Sequence, residues 1–369
     1  MRIVADRNIP YLKGIAEHFG DVTYLDGADF TKDAIKDADT LIVRTVAHFG
    51  ETNLAGSNVK LICSATIGYD HIDTAYCDTN GIVWHNAPGC NSGSVQQYIV
   101  SSLIVLAQQK GFDLQDKTIG IVGVGNVGKK VAKACEILGM KVLLNDPPRQ
   151  RLEGESHFVS LDTIKKEADI ITFHTPLIKE EEDKTFHLAD NDFFSTLAKQ
   201  PIVINSARGA IVDTTAIKKA LQEGKISGAV IDCWENEPSI DLEYMNMVDI
   251  ATPHIAGYSA DGKANATRMS LESVAEFYSL GKTPIALVKA SEPENSIIDL
   301  NDFKFSSNRI YSALLATYSP KSDFIRLKAN PANFKQLRNN YPLRRESLAY
   351  SIVNANDEER KVLSQLGFN

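Results

Sequence analysis

The sequence predicts an α/β protein: two doubly wound parallel-sheet domains, followed by a small α+β domain at the C-terminal end. Three observations carry this. Short apolar runs alternate with helical stretches from residue 2 to residue 252. The stretch 117–146, KTIGIVGVGNVGKKVAKACEILGMKVLLND, reads strand, glycine turn, helix, strand, acid. Beyond Lys282 the composition changes, and Gly367 is the one glycine left.

A length of 369 residues suits two or three domains with sizeable cores. The net charge of -8 gives no basic footprint for nucleic acid or for an anionic membrane. No apolar run approaches the ~20 residues of a membrane span, and the N-terminus lacks the apolar core of a signal peptide, so a cytoplasmic chain is expected. Cys63, Cys77, Cys90, Cys135 and Cys233 include no C-x-x-C pair, which points to reduced, packed thiols. The eight histidines are dispersed, and none forms a metal-ligand spacing.

In chain order, residues 2–5, 22–24, 40–43, 61–65 and 82–84 read as strands, separated by stretches such as 11–19 that suit helices. This first domain has no glycine fingerprint. Its post-strand loops hold Arg44, Thr45, Thr66, Gly68, Asp70 and His71, and in open parallel sheets ligands lie beyond the carboxyl ends of the strands. The turn-rich stretch 86–97 leads to an apolar helix over 98–109 and marks a domain crossing; a hinge and a rigid loop both fit it.

Residues 118–122 and 142–144 are the strands of the glycine unit, and Val127, Val131, Ala134, Cys135 and Leu138 share one helix face between them. Gly123 permits the tight turn, Gly125 a close approach to a pyrophosphate, and Gly128 close helix–strand packing. Asp146 can accept hydrogen bonds from the ribose hydroxyls of NAD and would repel the extra phosphate of NADP. Arg149 could favour NADP, but behind that acid it reads as a surface cation. A Rossmann-type NAD domain follows.

Residues 169–173, 202–205, 229–231 and 248–252 continue the strands, and Asp213 caps a helix over 214–223 that Gly224 ends. Successive strands deliver Arg208 in SARGA, Glu237 in WENEP and His254 in PHIAGY to one sheet edge. Hydride transfer from a 2-hydroxy acid needs a base, a cation for the carboxylate and a group that steadies the base. His254 can be the base, Arg208 the bidentate cation and Glu237 the partner of the second imidazole nitrogen. Alone, each residue reads as an ordinary loop side chain; together they form a catalytic set.

The motifs GIVGVGNVG, HTPL, INSARG, VIDCWENEP and TPHIAGY resemble the D-isomer-specific 2-hydroxyacid dehydrogenases. ATIGYDHID, NAPGCN, LNDPPR and LSQLGFN are similar to a branch of that family whose substrate is a small phosphorylated 2-hydroxy acid. The resemblance implies NAD-dependent oxidation with Arg208, Glu237 and His254 as catalytic residues. It implies that Gly123, Gly125, Asn126, Val127, Gly128, Asp146, Thr175, Ser206, Ala207, Arg208, Asp232 and Gly257 line the cofactor, and that Thr45, Thr66 and Tyr258 touch substrate. Thr45 stands where serine is usual, Gln97 where glutamate is, and Ser206-Ala207 where alanine and cysteine are common. Two alternatives are a relative of the 3-phosphoglycerate type and a non-catalytic NAD-sensing scaffold.

The resemblance implies a substrate domain over 1–95 and 258–282, with a helix over 261–279 returning the chain to it. It implies an NAD domain over 96–257 and a homodimerisation domain over 283–369. In that last part residues 324–327 and 349–353 read as strands and 331–339 and 358–366 as helices. Arg344 and Arg345 could meet a phosphate or form a solvated face.

Overall fold

The computed structural model describes residues 1–154 and 157–369. It divides into two compact units, residues 1–91 with 259–291, and residues 92–258 with 292–369.

The first unit holds strands β1 Arg2–Asp6, β2 Asp21–Leu25, β3 Thr40–Val43, β4 Leu61–Ser64 and β5 Val83–His85, paired in parallel in the order β2-β1-β3-β4-β5. Strand side chains alternate between faces, so the sheet has two cores. Ile3, Ala5, Ile42, Leu61 and Cys63 point to one, and Val4, Leu41, Val43 and Ile62 to the other. Helix Ala260–Phe277 returns to this unit and buries Ala264, Leu271, Val274 and Ala275 on the first face. The helix expected over residues 11–19 is a series of turns with one 3-10 turn at Ala16–His18, because Tyr11 and Gly14 take positive φ of 62° and 88° and break any longer helix.

The second unit holds β6 Thr118–Val122, β7 Lys141–Asn145, β8 Ile170–Phe173, β9 Ile202–Asn205, β10 Gly228–Ile231 and β11 Ile250–Ala251, in the order β11-β10-β9-β8-β6-β7 and again parallel. The same alternation separates Ile119, Ile121, Ile202 and Ile204 from Val122, Ile171, Phe173 and Val203. Helices Ser92–Lys110 and Asn126–Ile137 cover the first of these faces.

The C-terminal stretch shares this unit's core. Its two-stranded sheet pairs β12 Ile297–Asp299 with β13 Ser351–Val353, and Ile298, Leu300, Leu314, Ile352, Leu363 and Phe368 join the cluster of helix Ser92–Lys110. Residues 324–327, expected as a strand, lie inside helix Pro320–Ala329. Four apolar residues are ambiguous in period; Pro320, Asp323 and Leu327 are buried at helical spacing, and proline opens the first turn. This helix packs beside the short edge strand β11. No helix among the described residues is long and apolar enough to cross a membrane.

Candidate active site

The glycine turn follows from local sterics. Gly123 has φ of 89°, and a Cβ there would lie 2.8 Å from Thr175. A Cβ on Gly128 would lie 2.1 Å from the Gly123 carbonyl oxygen, so the helix can approach the turn only with glycine there. Gly125 has nothing within 4 Å of its Cβ position, which leaves backbone open to a ligand. Gly125 offers no side-chain cap, so the first N–H groups of the helix, at Asn126 and Val127, remain available to an anion. Asp146 steadies the turn, its Oδ2 accepting from the Val124 N–H at 2.8 Å and its Oδ1 from the Arg149 N–H at 3.1 Å. Arg149 is no free surface cation, since its Nη1 donates to the Val124 carbonyl at 2.6 Å and its Nε to Glu153 at 2.6 Å.

At the carboxyl ends of β10 and β11, Glu237 and His254 meet. The Nδ1 of His254 lies 2.8 Å from the Glu237 Oε2, and the Glu237 Oε1 accepts from the Trp234 N–H at 2.8 Å. Burial pushes the Glu237 carboxyl up, but His254, the Trp234 N–H and Arg338 outweigh it and hold the group below its usual range. A carboxylate on Nδ1 leaves the other ring nitrogen, Nε2, for proton exchange. His254 itself sits at φ of 55°, a left-handed conformation that its surroundings must enforce. They do so from several sides. Its N–H donates to the Asp232 carbonyl at 2.8 Å, while the Asp232 carboxylate accepts from the Ile255 and Ala256 N–H groups at 2.8 and 2.9 Å. Burial raises the Asp232 carboxyl above its ordinary value. Trp234 Nε1 donates to the Thr252 carbonyl at 2.9 Å.

Arg208 stands just after β9, where Gly209 lets the loop close onto the next one: a Cβ there would lie 2.0 Å from the Trp234 carbonyl carbon. Its Nη1 donates to the Ala207 carbonyl at 2.9 Å, as the Cys233 thiol does at 3.4 Å. Cys233, Glu237 and His254 are close enough to hold a metal ion. Burial raises the thiol well above its usual pKa, and Nδ1 is already matched to Glu237, so the chemistry favours an acid/base pair over a metal centre.

The expected cofactor residues Gly123 to Gly257, with Arg208, Glu237, His254 and Tyr258, all belong to the second unit. Asp232 is only 1% exposed, and its carboxylate is spent on the His254 loop. Thr45 and Thr66 belong to the first unit, after β3 and β4; Thr45 is exposed, and Thr66 Oγ1 donates to the Gly68 carbonyl at 2.9 Å.

Sequence reasoning missed the support that the C-terminal stretch gives. Arg344 is buried, and it donates to the carbonyls of Ile255 at 3.3 Å and Ala256 at 3.1 Å, and through Nε to the Gln97 Oε1 at 2.9 Å. Its guanidinium also stacks 3.8 Å from the Tyr318 ring centroid. Those bonds leave no fork for a phosphate, and Arg344 and Arg345, at 5% and 6% exposed, are not a solvated face. Glutamine suits position 97 because its Nε2 donates at 3.0 Å to both the Thr317 Oγ1 and the Arg345 carbonyl, which a carboxylate could not do. Arg338 also reaches the Glu237 carboxylate, at 4.0 Å. Paired arginines after a proline carry no signal of burial in a sequence.

Residues 96–256 match the family model described as D-isomer specific 2-hydroxyacid dehydrogenase, NAD binding domain, and residues 291–367 match a domain of unknown function. An erythronate-4-phosphate dehydrogenase from Bacteroides thetaiotaomicron is 51% identical over 96% of this chain and 99% of its own. One from Porphyromonas gingivalis is 44% identical over 100% of both chains. The chain belongs to the D-isomer-specific 2-hydroxyacid dehydrogenases. As a member of that family it is an NAD-dependent dehydrogenase, and NAD is its cofactor. The fold agrees with the family's solved structures. The NAD-bound 3-phosphoglycerate dehydrogenase from Entamoeba histolytica is 26% identical, with a TM-score of 0.63 over 76% of this chain and 95% of its own. The D-lactate dehydrogenase from Aquifex aeolicus, complexed with NAD and lactic acid, is 25% identical, with a TM-score of 0.62 over 76% and 96%.

The second unit suits NAD by its own geometry. The hydroxyls of Thr175 and Ser206, after β8 and β9, are buried without a hydrogen-bond partner, which calls for a polar ligand. Each oxygen of Asp146 accepts one hydrogen bond within the protein and retains lone-pair capacity for a ribose hydroxyl.

Proposed function

We propose that this dehydrogenase oxidises 4-phospho-D-erythronate at C2 to (R)-3-hydroxy-2-oxo-4-phosphooxybutanoate, a step toward pyridoxal 5'-phosphate, as a cytoplasmic homodimer. The observation that carries the chemistry is the 2.8 Å pairing of His254 with Glu237 in the unit that bears the glycine turn. The substrate is inferred from relatives that share its length and 44% to 51% of its residues and are named for that activity.

NAD, when bound, supplies the hydride acceptor, held by Asn126 and Val127 at the helix start, by Asp146, and by Thr175 and Ser206. His254 Nε2 takes the proton of the C2 hydroxyl. Glu237 stabilises the imidazolium that results and fixes the ring orientation. Arg208 binds the carboxylate and polarises the forming carbonyl. Thr45, Thr66 and Tyr258 hold the substrate.

The test is turnover of 4-phosphoerythronate, 3-phosphoglycerate and unphosphorylated erythronate offered in parallel, read as consumption of the 2-hydroxy acid, with a 2-oxo acid present to re-oxidise trapped NADH. Turnover is expected to favour the first substrate and to fall by about 10³-fold or more in His254→Ala. Preference for 3-phosphoglycerate would refute the substrate assignment, and an active His254→Ala would refute the acid/base assignment.

A further inference from the structure

The C-terminal stretch places a cation against the acid/base pair. Arg338 lies in helix Phe334–Asn339, within the stretch that matches the domain of unknown function. Its Nη1 is 4.0 Å from the Glu237 Oε2, the oxygen that bonds His254. Its guanidinium lies 5.5 Å from the ring centroid of Tyr258, and Tyr258 meets Tyr341 edge-on at 5.9 Å.

Two features separate Arg338 from a surface arginine drifting near an acid. Its Nε is buried without a hydrogen-bond partner, so the head group is not simply solvated. Its helix is also fixed at both ends, by the fully buried Phe334 before it and after it by Tyr341, whose hydroxyl donates to the Asp323 Oδ2 at 2.8 Å. The guanidinium therefore has a defined place between Glu237 and Tyr258.

We propose that Arg338 is a positioning residue of the reaction: the C-terminal stretch uses it to hold Glu237 ionised and oriented toward His254, and to fix Tyr258. The role is electrostatic as well as steric. The charged and titratable groups around the pair are Arg208, Asp232, the un-ionised Cys233 thiol and Arg338 itself. A cation beside Glu237 favours its carboxylate form, so the carboxylate that orients His254 persists to lower pH. This inference rests on the acid/base assignment above, and the experiment separates the two.

Arg338→Ala and Arg338→Gln are compared with Arg338→Lys and with His254→Ala in the full-length enzyme. Thermal unfolding verifies the fold, and Arg338→Gln serves if the alanine variant does not fold. We expect about a tenfold loss in kcat in the neutral variants, with the KM for NAD unchanged because the glycine turn is untouched. The acidic limb of the pH–rate profile moves to higher pH, added guanidinium ion restores part of the rate to Arg338→Ala, and lysine restores the limb but not the full rate. In a Glu237→Gln background the same substitution costs little, because the charge it acts on is gone. A folded Arg338→Ala with unchanged kcat and acidic limb, beside an inactive His254→Ala, overturns this inference alone. An active His254→Ala overturns it together with the acid/base assignment.

Discussion

Asp146 carries two duties at the scale of a single residue. It caps helix Pro147–Glu153 through the Arg149 N–H, and it holds the Val124 N–H beside the glycine turn. A carboxylate there can accept from ribose hydroxyls, and its charge repels a phosphate on the same sugar. Asp146→Ala is expected to weaken NAD by about tenfold to a hundredfold, the scale of a lost hydrogen bond to a charged group, and to narrow the preference over NADP. Kd values for both cofactors, measured alongside unfolding curves, separate this from the loss of about 1 kcal/mol that removing a helix cap brings. An unchanged preference would remove Asp146 as the ribose contact. The same scale shows what a residue type cannot announce: Glu237 and His254 are common residues, and their 2.8 Å contact depends on two loops meeting.

Strand ends set the chemistry at the scale of elements. His71 follows β4 and is 8% exposed, its Nε2 near the Ser64 Oγ at 3.2 Å and its Nδ1 unpartnered. Burial pushes its pKa down to about 4, with opposing effects from Asp70 and His48. His174, after β8, is pushed down by desolvation to about 3. Both are neutral in the folded protein, whereas the unfolded chain binds a proton on each near a pKa of about 6.5. The stability they supply is thus complete above that pH and is lost as pH falls toward about 4 for His71 and about 3 for His174. Each contributes a slope of about 1.4 kcal/mol per pH unit within its window. Denaturation midpoints measured between pH 7 and pH 4 should fall accordingly, and His71→Gln should flatten the slope. A flat wild-type profile would mean that the imidazoles can be charged where they sit. Glu237, held below its usual range, loses its contribution only at lower pH, as its carboxyl takes up a proton.

The C-terminal stretch completes a core at the scale of the molecule and leaves apolar surface of its own. Phe305 is 93% exposed and Ile325 67%, and Ile297, Leu343 and Leu348 of the same stretch are exposed as well. Exposed residues of this size suit an interface, and a second copy of the chain is the occupant that the homodimer reading supplies. Light scattering with size-exclusion chromatography should return twice the chain mass, and Ile325→Lys should shift it toward the monomer. A wild-type monomer would leave the stretch with its packing and positioning roles alone. Those roles are visible within the second unit, where Arg344 props the His254 loop and Arg338 flanks Glu237.

What the sequence determined by itself is what short-range chemistry encodes. The spacing of Gly123, Gly125 and Gly128 reflects sterics within a few residues, and the short apolar runs of β3 and β9 suit parallel strands buried on both faces. The sheet edge that gathers Arg208, Glu237 and His254 follows from the rule that parallel strands deliver their loops to one side. Tertiary structure alone decided the rest. Residues 324–327 form helix because Leu327 is buried at helical spacing against a core that no local pattern reveals. Residues 11–19 remain turns because two positive φ angles interrupt them. Arg344 is buried because the carbonyls that satisfy it, at Ser94, Ile255 and Ala256, lie far away in sequence. A guanidinium looks the same in a sequence whether water or backbone receives its hydrogen bonds, and only the folded chain assigns the acceptors.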